Sequence, residues 1–196
     1  MPKLYHKRLT MAWEDKVRWN KKHAENKMPT TPIDLVVRYA PQAPKGRALD
    51  IACGNGRHAK YLASFGFDVD AVDISDVAIE RLQGMERINA KEVDLDTWNI
   101  PEDTYTLIVK VYYLNRRLFP QIKRALKPGG LFIAETFVEH PDNEREPSNP
   151  AFRLKEGELK AAFEDFEILH YEEYWDNDYL GFKTKKVALV ARKPTA

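Results

Sequence analysis

The chain has 196 residues, 43% of them hydrophobic, with 31 Lys and Arg against 30 Asp and Glu for a formal charge of +1. That size suits a single domain with its own core, and the apolar fraction is too high for a disordered chain. The charge lacks the basic excess of a dedicated nucleic-acid binder, one cysteine cannot form an internal disulfide, and no run of about 20 apolar residues offers a membrane span. There is no Cys/His cluster of the kind that holds structural zinc. The first residues lack the apolar stretch of a secretory signal, so the expected location is the cytoplasm. The neutral total hides a division. Residues 1–30 hold eight basic and three acidic residues, a net +5, whereas residues 139–178 hold thirteen acidic and four basic, a net −9. Such runs read first as solvated surfaces.

In chain order, residues 12–26 read as a basic helix with Trp13, Val17 and Ala24 on its apolar side. Thr31-Pro32 opens a short helix, with Ile33, Val36, Val37 and Ala40 as its stripe, and the prolines at 41 and 44 stop it. A strand at 48–51 then leads into the loop Ala52-Cys53-Gly54-Asn55-Gly56, and a helix follows from Arg57 to Phe65, ended by Gly66. A second strand covers 69–72 and closes on Asp73, after which Ser75 caps a helix through about Gln83. A third strand precedes Asp94, a fourth covers 106–111, and a helix at 116–126 turns through Lys127-Pro128-Gly129-Gly130 into a fifth strand at 131–137. Strands alternating with helices imply right-handed βαβ units and a parallel sheet. The end differs: 167–175 and 179–192 are both β-like, and only Asp176-Asn177-Asp178 separates them, which requires an antiparallel hairpin.

Gly54-Asn55-Gly56-Arg57-His58-Ala59 fits G-x-G-x-x-G/A between a strand and a helix, where small residues let the backbone approach a ligand. A dinucleotide and S-adenosylmethionine both suit such a loop. Asp50, just before the glycines, would oppose a pyrophosphate but is tolerable beside a ligand that carries an ammonium and a sulfonium. Asp73, at the end of the next strand, stands where either cofactor presents its ribose hydroxyls to an acid. Cys53 reads as a small loop filler rather than a nucleophile.

Residues 48–57 resemble the first motif of the class I S-adenosylmethionine-dependent methyltransferases, with Ala52 in place of that motif's first glycine. Val72-Asp73 is similar to the ribose-binding acid, Val93-Asp94-Leu95 to the adenine-binding position, and residues 126–131 to the turn into the fifth strand. The resemblance covers about residues 45–192. It implies a Rossmann-like α/β fold: a seven-stranded, mostly parallel sheet with helices on both faces and a C-terminal antiparallel hairpin. Within that class, Trp19-Asn20, Gly54–Arg57, Glu135-Thr136-Phe137 and Asn149-Pro150 with Gly157-Glu158-Leu159 resemble a tellurite-resistance and thiopurine-type small-molecule branch.

The resemblance implies a single domain, with a helical cover over 1–44, a cofactor-binding half over 45–137, and a lid loop and hairpin over 138–196. It implies S-adenosylmethionine held by Asp50, Ala52, Gly54, Gly56, Arg57, Asp73 with Ile74, Asp94 with Leu95, and Lys110 with Val111. Tyr112 and Tyr113 then point to opposite faces, one into the core and one toward the transferred methyl. The segment lacks both the Asn/Asp-Pro-Pro-aromatic motif and the Pro-Cys pair of nucleic-acid base methylation. The acceptor expected is a small molecule, such as a thiol or chalcogen, that needs no protein base. No catalytic residue can be assigned. A domain that binds the cofactor without turnover, and RNA or protein methylation through the basic N-terminal stretch, stay open.

Overall fold

Seven extended runs fold into one sheet whose inner strands bury branched and aromatic residues on both faces. The computed structural model describes the backbone of residues 2–145 and 150–195 and the side chains of 12–145 and 151–195. In chain order the elements are α1 (Pro2–Ala24), α2 (Asp34–Tyr39), β1 (Arg47–Ile51), α3 (Arg57–Ser64), β2 (Asp68–Asp73), α4 (Asp76–Glu80), β3 (Ile88–Glu92), β4 (Tyr105–Val111), α5 (Leu118–Ala125), β5 (Leu126–Phe137), α6 (Glu158–Ala162), β6 (Glu167–Asn177) and β7 (Lys183–Arg192). The sheet runs β3-β2-β1-β4-β5-β7-β6. β1 to β5 pair in parallel, and β7 pairs antiparallel with both β5 and β6, as the sequence implied.

Alternation along the strands splits the core into two layers. Leu107, Val109, Leu131 and Ile133 meet Val36 of α2, Ala59 and Leu62 of α3, and Ile79 of α4. Ile108 and Phe132 meet Leu118 and Ile122 of α5 and Leu159 of α6, with Phe163 stacked 4.7 Å from Phe132. The chain reverses its order of strands between β1 and β4. Ligands bind at such a switch point, outside the carboxyl ends of the strands.

Several local expectations are corrected. α1 begins ten residues before position 12, and its expected apolar side faces solvent, with Trp13 66% and Val17 51% exposed. The helix lies instead on a polar crease. Lys16 Nζ pairs with Asp76 (2.9 Å) and Glu92 (2.5 Å), and Asn20 donates to Asp76 and accepts from Ser75 Oγ. Hydrogen bonds and ion pairs, not an apolar stripe, dock it.

Thr31 does not cap α2. The flanking residue is Ile33, whose N–H is accepted by His58 Nε2 at 3.4 Å. Gly129 and Gly130 sit inside an irregular β5, where the register with β4 shifts between Tyr105 and Leu107. The hairpin turns at 178–182 rather than 176–178, because Asp178 Oδ1 accepts from the amides of Leu180 and Phe182. α6 had no counterpart in the sequence reading. Among the described residues, no helix is long and apolar enough to cross a membrane.

Candidate active site

The loop after β1 is shaped by three residues in the left-handed region: Ala52 (φ 55°), Gly54 (φ 52°) and Gly56 (φ 73°). Glycine adopts this region freely and alanine does not. Ala52 therefore holds the conformation of the motif glycine it replaces, at some strain. Cys53 N–H donates to Val72 O at 3.0 Å, which ties the loop to the end of β2.

Asp73 completes that tie. Its Oδ2 accepts from Gly54 N–H at 2.8 Å, and its Oδ1 accepts from Ser75 N–H at 2.9 Å. Each carboxylate oxygen keeps a lone pair beyond these bonds. Ser75 Oγ caps α4 by accepting from Ala78 N–H at 3.2 Å, so the cap expected there is present and is not supplied by Asp73. Val93 N–H donates to Asp73 O at 2.8 Å, which sets the end of β3 beside the end of β2. Asp94 is half-buried next to it, its Oδ1 accepting from Asp96 N–H at 2.9 Å, and Leu95 is buried behind it. Ile74 is half-buried between the two acids in sequence.

Asp50 lies deeper. It is 1% exposed and its Oδ2 accepts from Ala59 N–H at 3.0 Å, taking the role of a helix cap because Gly56 has no side chain to offer. Burial, reinforced by nearby Asp73, pushes its carboxyl up to about 7. Arg57 opens α3, donates to Thr31 O at 3.3 Å, and lies 6.0 Å from the Tyr112 ring. It lines a cavity with His23, Asn55, Lys60 and Arg81, where α1 ends over the glycine loop.

His23 was missed in the sequence, where a lone histidine on a basic helix carries no signal. It is 3% exposed, stacks 6.0 Å from Trp19, and its Cε1 would lie 3.1 Å from a β-carbon added to Gly54. Its Nδ1 is buried without a hydrogen-bond partner. Burial pushes its pKa down, against the attraction of Asp73.

Val111 and Lys110 end β4. Val111 is buried beside the loop, but Lys110 points to the opposite layer, where it is fully buried and Nζ donates to Tyr113 O at 2.7 Å. Lys110 therefore buttresses the chain after β4. Burial pushes its amine down to about 7 from an ordinary 10.5. Between those values the unfolded chain binds a proton that the folded chain does not, so stability rises with pH through that window. Lys110→Met removes this contribution. The urea midpoint of the wild type is expected to rise between about pH 7 and 9 relative to that of the variant. Parallel pH dependences in the two proteins would contradict the assignment.

The acidic stretch does not close onto the basic N-terminus through ion pairs among the described residues. Its acids pair instead with the hairpin and with residues at α5: Lys185 with Glu156 and Glu173, Lys186 with Asp176, Arg145 with Asp178, Arg116 with Glu158, and Lys123 with Asp165. Residues 138–145, read as the start of a lid, dock on the hairpin. Asn143 bridges Val138 O and Lys185 N–H, and the His140 ring meets Trp175 at 4.9 Å. Asn149 of the quoted motif lies outside the described residues.

A glycine loop at the switch point, with acids at the ends of β2 and β3 and a hairpin closing the sheet, defines the fold of the S-adenosylmethionine-dependent methyltransferases. A model of the family described as "Tellurite resistance protein TehB" matches residues 17–181, and the chain belongs to that family. It is similar to the probable S-adenosyl-L-methionine-dependent methyltransferase TehB of Haemophilus influenzae (strain ATCC 51907 / DSM 11121 / KW20 / Rd), 30% identical over 165 residues, covering 75% of this chain and 57% of that one. It is also similar to hemagglutinin 1 of Eikenella corrodens, 28% identical over 167 residues, covering 76% of this chain and 55% of the relative. The crystal structure of TehB from Haemophilus influenzae superposes with a TM-score of 0.74 at 28% identity, covering 84% of this chain and 63% of the other. The chain thus spans just over half the length of the curated relatives it matches.

Proposed function

We propose that the chain is an S-adenosylmethionine-dependent methyltransferase acting on a small-molecule acceptor, in particular a thiol or another chalcogen. The observation that carries this reading is Asp73. A 7% exposed carboxylate at the end of β2, joined by one oxygen to the glycine loop and by the other to the start of α4, keeps lone pairs for two ribose hydroxyls. Asp94 would accept from an adenine amino group, with Leu95 beneath the ring. Arg57, at the start of α3, would meet the cofactor's carboxylate. The small left-handed loop would admit the methionine chain, and His23 sets its ring edge beside Gly54 with Nδ1 left unpartnered. The cofactor supplies an activated methyl group, so alignment and exclusion of water are what remains for the protein. α1, docked by Lys16 and Asn20 across the ends of β2 and β3, supplies that cover.

The name and family description of the TehB relatives support the cofactor and a chalcogen acceptor alike. Incubation with methyl-labelled S-adenosylmethionine and a panel of thiols, selenols, amines and carboxylates tests the reading. Labelled product from the chalcogen members is expected. Product from none of them, with the cofactor bound, would contradict it.

A further inference from the structure

Beyond the cofactor loop, the carboxyl ends of β4 and β5 carry a buried polar network. Tyr112, the first residue past β4, sits in the left-handed region (φ 55°). That conformation costs a bulky residue about 1–2 kcal/mol and persists where the surroundings enforce it. They do so here. Tyr112 N–H donates to Glu135 O at 2.8 Å, and its hydroxyl donates to Glu135 Oε1 at 2.5 Å. Its ring stacks on Phe137 with centroids 5.1 Å apart, and Lys186 Nζ lies 5.3 Å from its centre. Tyr174 from β6 lies beside the same Glu135 carboxylate, whose charge adds to burial in pushing its hydroxyl up. Glu135 is only 6% exposed, whereas both tyrosines are half-buried.

Apolar residues would fill this corner at lower desolvation cost, so the network calls for another explanation. Its polarity supplies one. Tyr112 spends its single proton on Glu135, so what its phenol has left to offer a ligand are oxygen lone pairs. Such an acceptor recognises a molecule that brings a hydrogen. The charged and titratable groups around Tyr112 and Glu135 are Arg57 from α3, Tyr174 from β6 and Lys186 from β7, with Glu172 and Asp176 of β6 acting on Tyr174. Lys186 is held by Asp176 Oδ2 at 2.7 Å and Asn177 O at 3.0 Å.

We propose that Tyr112 is the acceptor-contacting catalytic residue and Glu135 its proton sink, selecting a protic acceptor: a thiol, selenol, alcohol or neutral amine that carries its proton into the site. This rests on the methyltransferase reading and narrows it. As the acceptor's heteroatom–carbon bond forms, the carbon–sulfur bond breaks and its electron pair leaves with the sulfur. The acceptor's proton passes to Tyr112 Oη while the tyrosine's own proton passes to Glu135 Oε1. Burial and the Glu135 carboxylate push the Tyr112 hydroxyl far up, so it moves a proton in concert and not as a free phenolate. Glu135 acts through Tyr112 and is a positioning residue as well as the sink.

The test compares wild type, Glu135→Gln, Tyr112→Phe and Tyr174→Phe. For each, kcat against pH is measured on the panel above extended by oxyanions, with the melting shift given by S-adenosylhomocysteine and the ultraviolet titration of the phenols. Glu135→Gln and Tyr112→Phe should lower kcat by about 100-fold or more and remove the acidic limb of the pH profile. The product-induced melting shift should stay, and in Glu135→Gln two phenols should titrate nearer an ordinary tyrosine. Tyr174→Phe, which leaves the relay intact, should lose far less. Values of kcat within threefold of wild type (under about 0.7 kcal/mol) in both Glu135→Gln and Tyr112→Phe would overturn the proposal. Turnover confined to carboxylates or oxyanions, or cofactor binding with no turnover at all, would also overturn it. Absence of any melting shift with the adenosyl compounds in the wild type would instead overturn the methyltransferase reading beneath it.

Discussion

Asp73→Ala is expected to weaken binding of S-adenosylhomocysteine by about 100-fold or more, the largest functional effect of any single change in the cofactor half. In the function proposed above the carboxylate accepts from two hydroxyls, and a hydrogen bond to a charged group contributes about 1.5–3 kcal/mol. Two such bonds amount to at least about two decades in affinity. The variant also strands the amides of Gly54 and Ser75, which the carboxylate holds at 2.8 and 2.9 Å, so a fall in melting temperature accompanies the loss. Asp73→Asn separates the two effects. Its remaining carbonyl oxygen can serve one amide, while its amide group is a poor acceptor for the ribose. Calorimetric titration of both variants is the measurement. Affinity within threefold of wild type (under about 0.7 kcal/mol) in either variant would show that the ribose is held elsewhere.

The largest stability effect is expected at Gly56. A β-carbon there would stand 2.4 Å from Leu82 Cδ2 and 2.8 Å from Leu82 Cδ1, with φ at 73°. An L-residue in that region costs about 1–2 kcal/mol, and overpacking adds about 1–3 kcal/mol, so Gly56→Ala should lose roughly 2–5 kcal/mol. Gly66 supplies the control. Its φ is 93°, but nothing lies within 4 Å of an added β-carbon. Gly66→Ala should therefore lose only the backbone part. Urea unfolding of both variants reads the difference directly. Equal losses would mean that Leu82 yields and that the loop is less tightly packed than its geometry shows.

The sheet was legible in the sequence because its signals are local. Runs such as Leu107-Ile108-Val109 between helical segments, the glycines of residues 54–56 and the short link between the last two β-like runs each point to one arrangement. The place of Asp73, at a strand end and tied to the glycine loop, was legible for the same reason. What stayed hidden depends on tertiary placement. α1 looked amphipathic, yet its buried contacts come from Lys16, Asn20 and His23, because the surface it meets is Ser75, Asp76 and Glu92. Lys110 looked like part of the cofactor site because it is adjacent to Val111, but strand alternation sends it to the opposite layer. The pairing of Tyr112 with Glu135 joins residues 23 positions apart and follows from the parallel register of β4 and β5, which places Val111 opposite Glu135. No periodicity in either segment announces it.

The central claim is that the loop, Asp73 and Asp94 hold an adenosyl cofactor that carries no pyrophosphate. Thermal unfolding of the whole chain with S-adenosylmethionine, S-adenosylhomocysteine and NAD tests it most directly. At 100 times its dissociation constant a ligand adds about 2.7 kcal/mol of stability. A clear rise in melting temperature with both adenosyl compounds and none with NAD is the predicted result; a rise with NAD alone would contradict it.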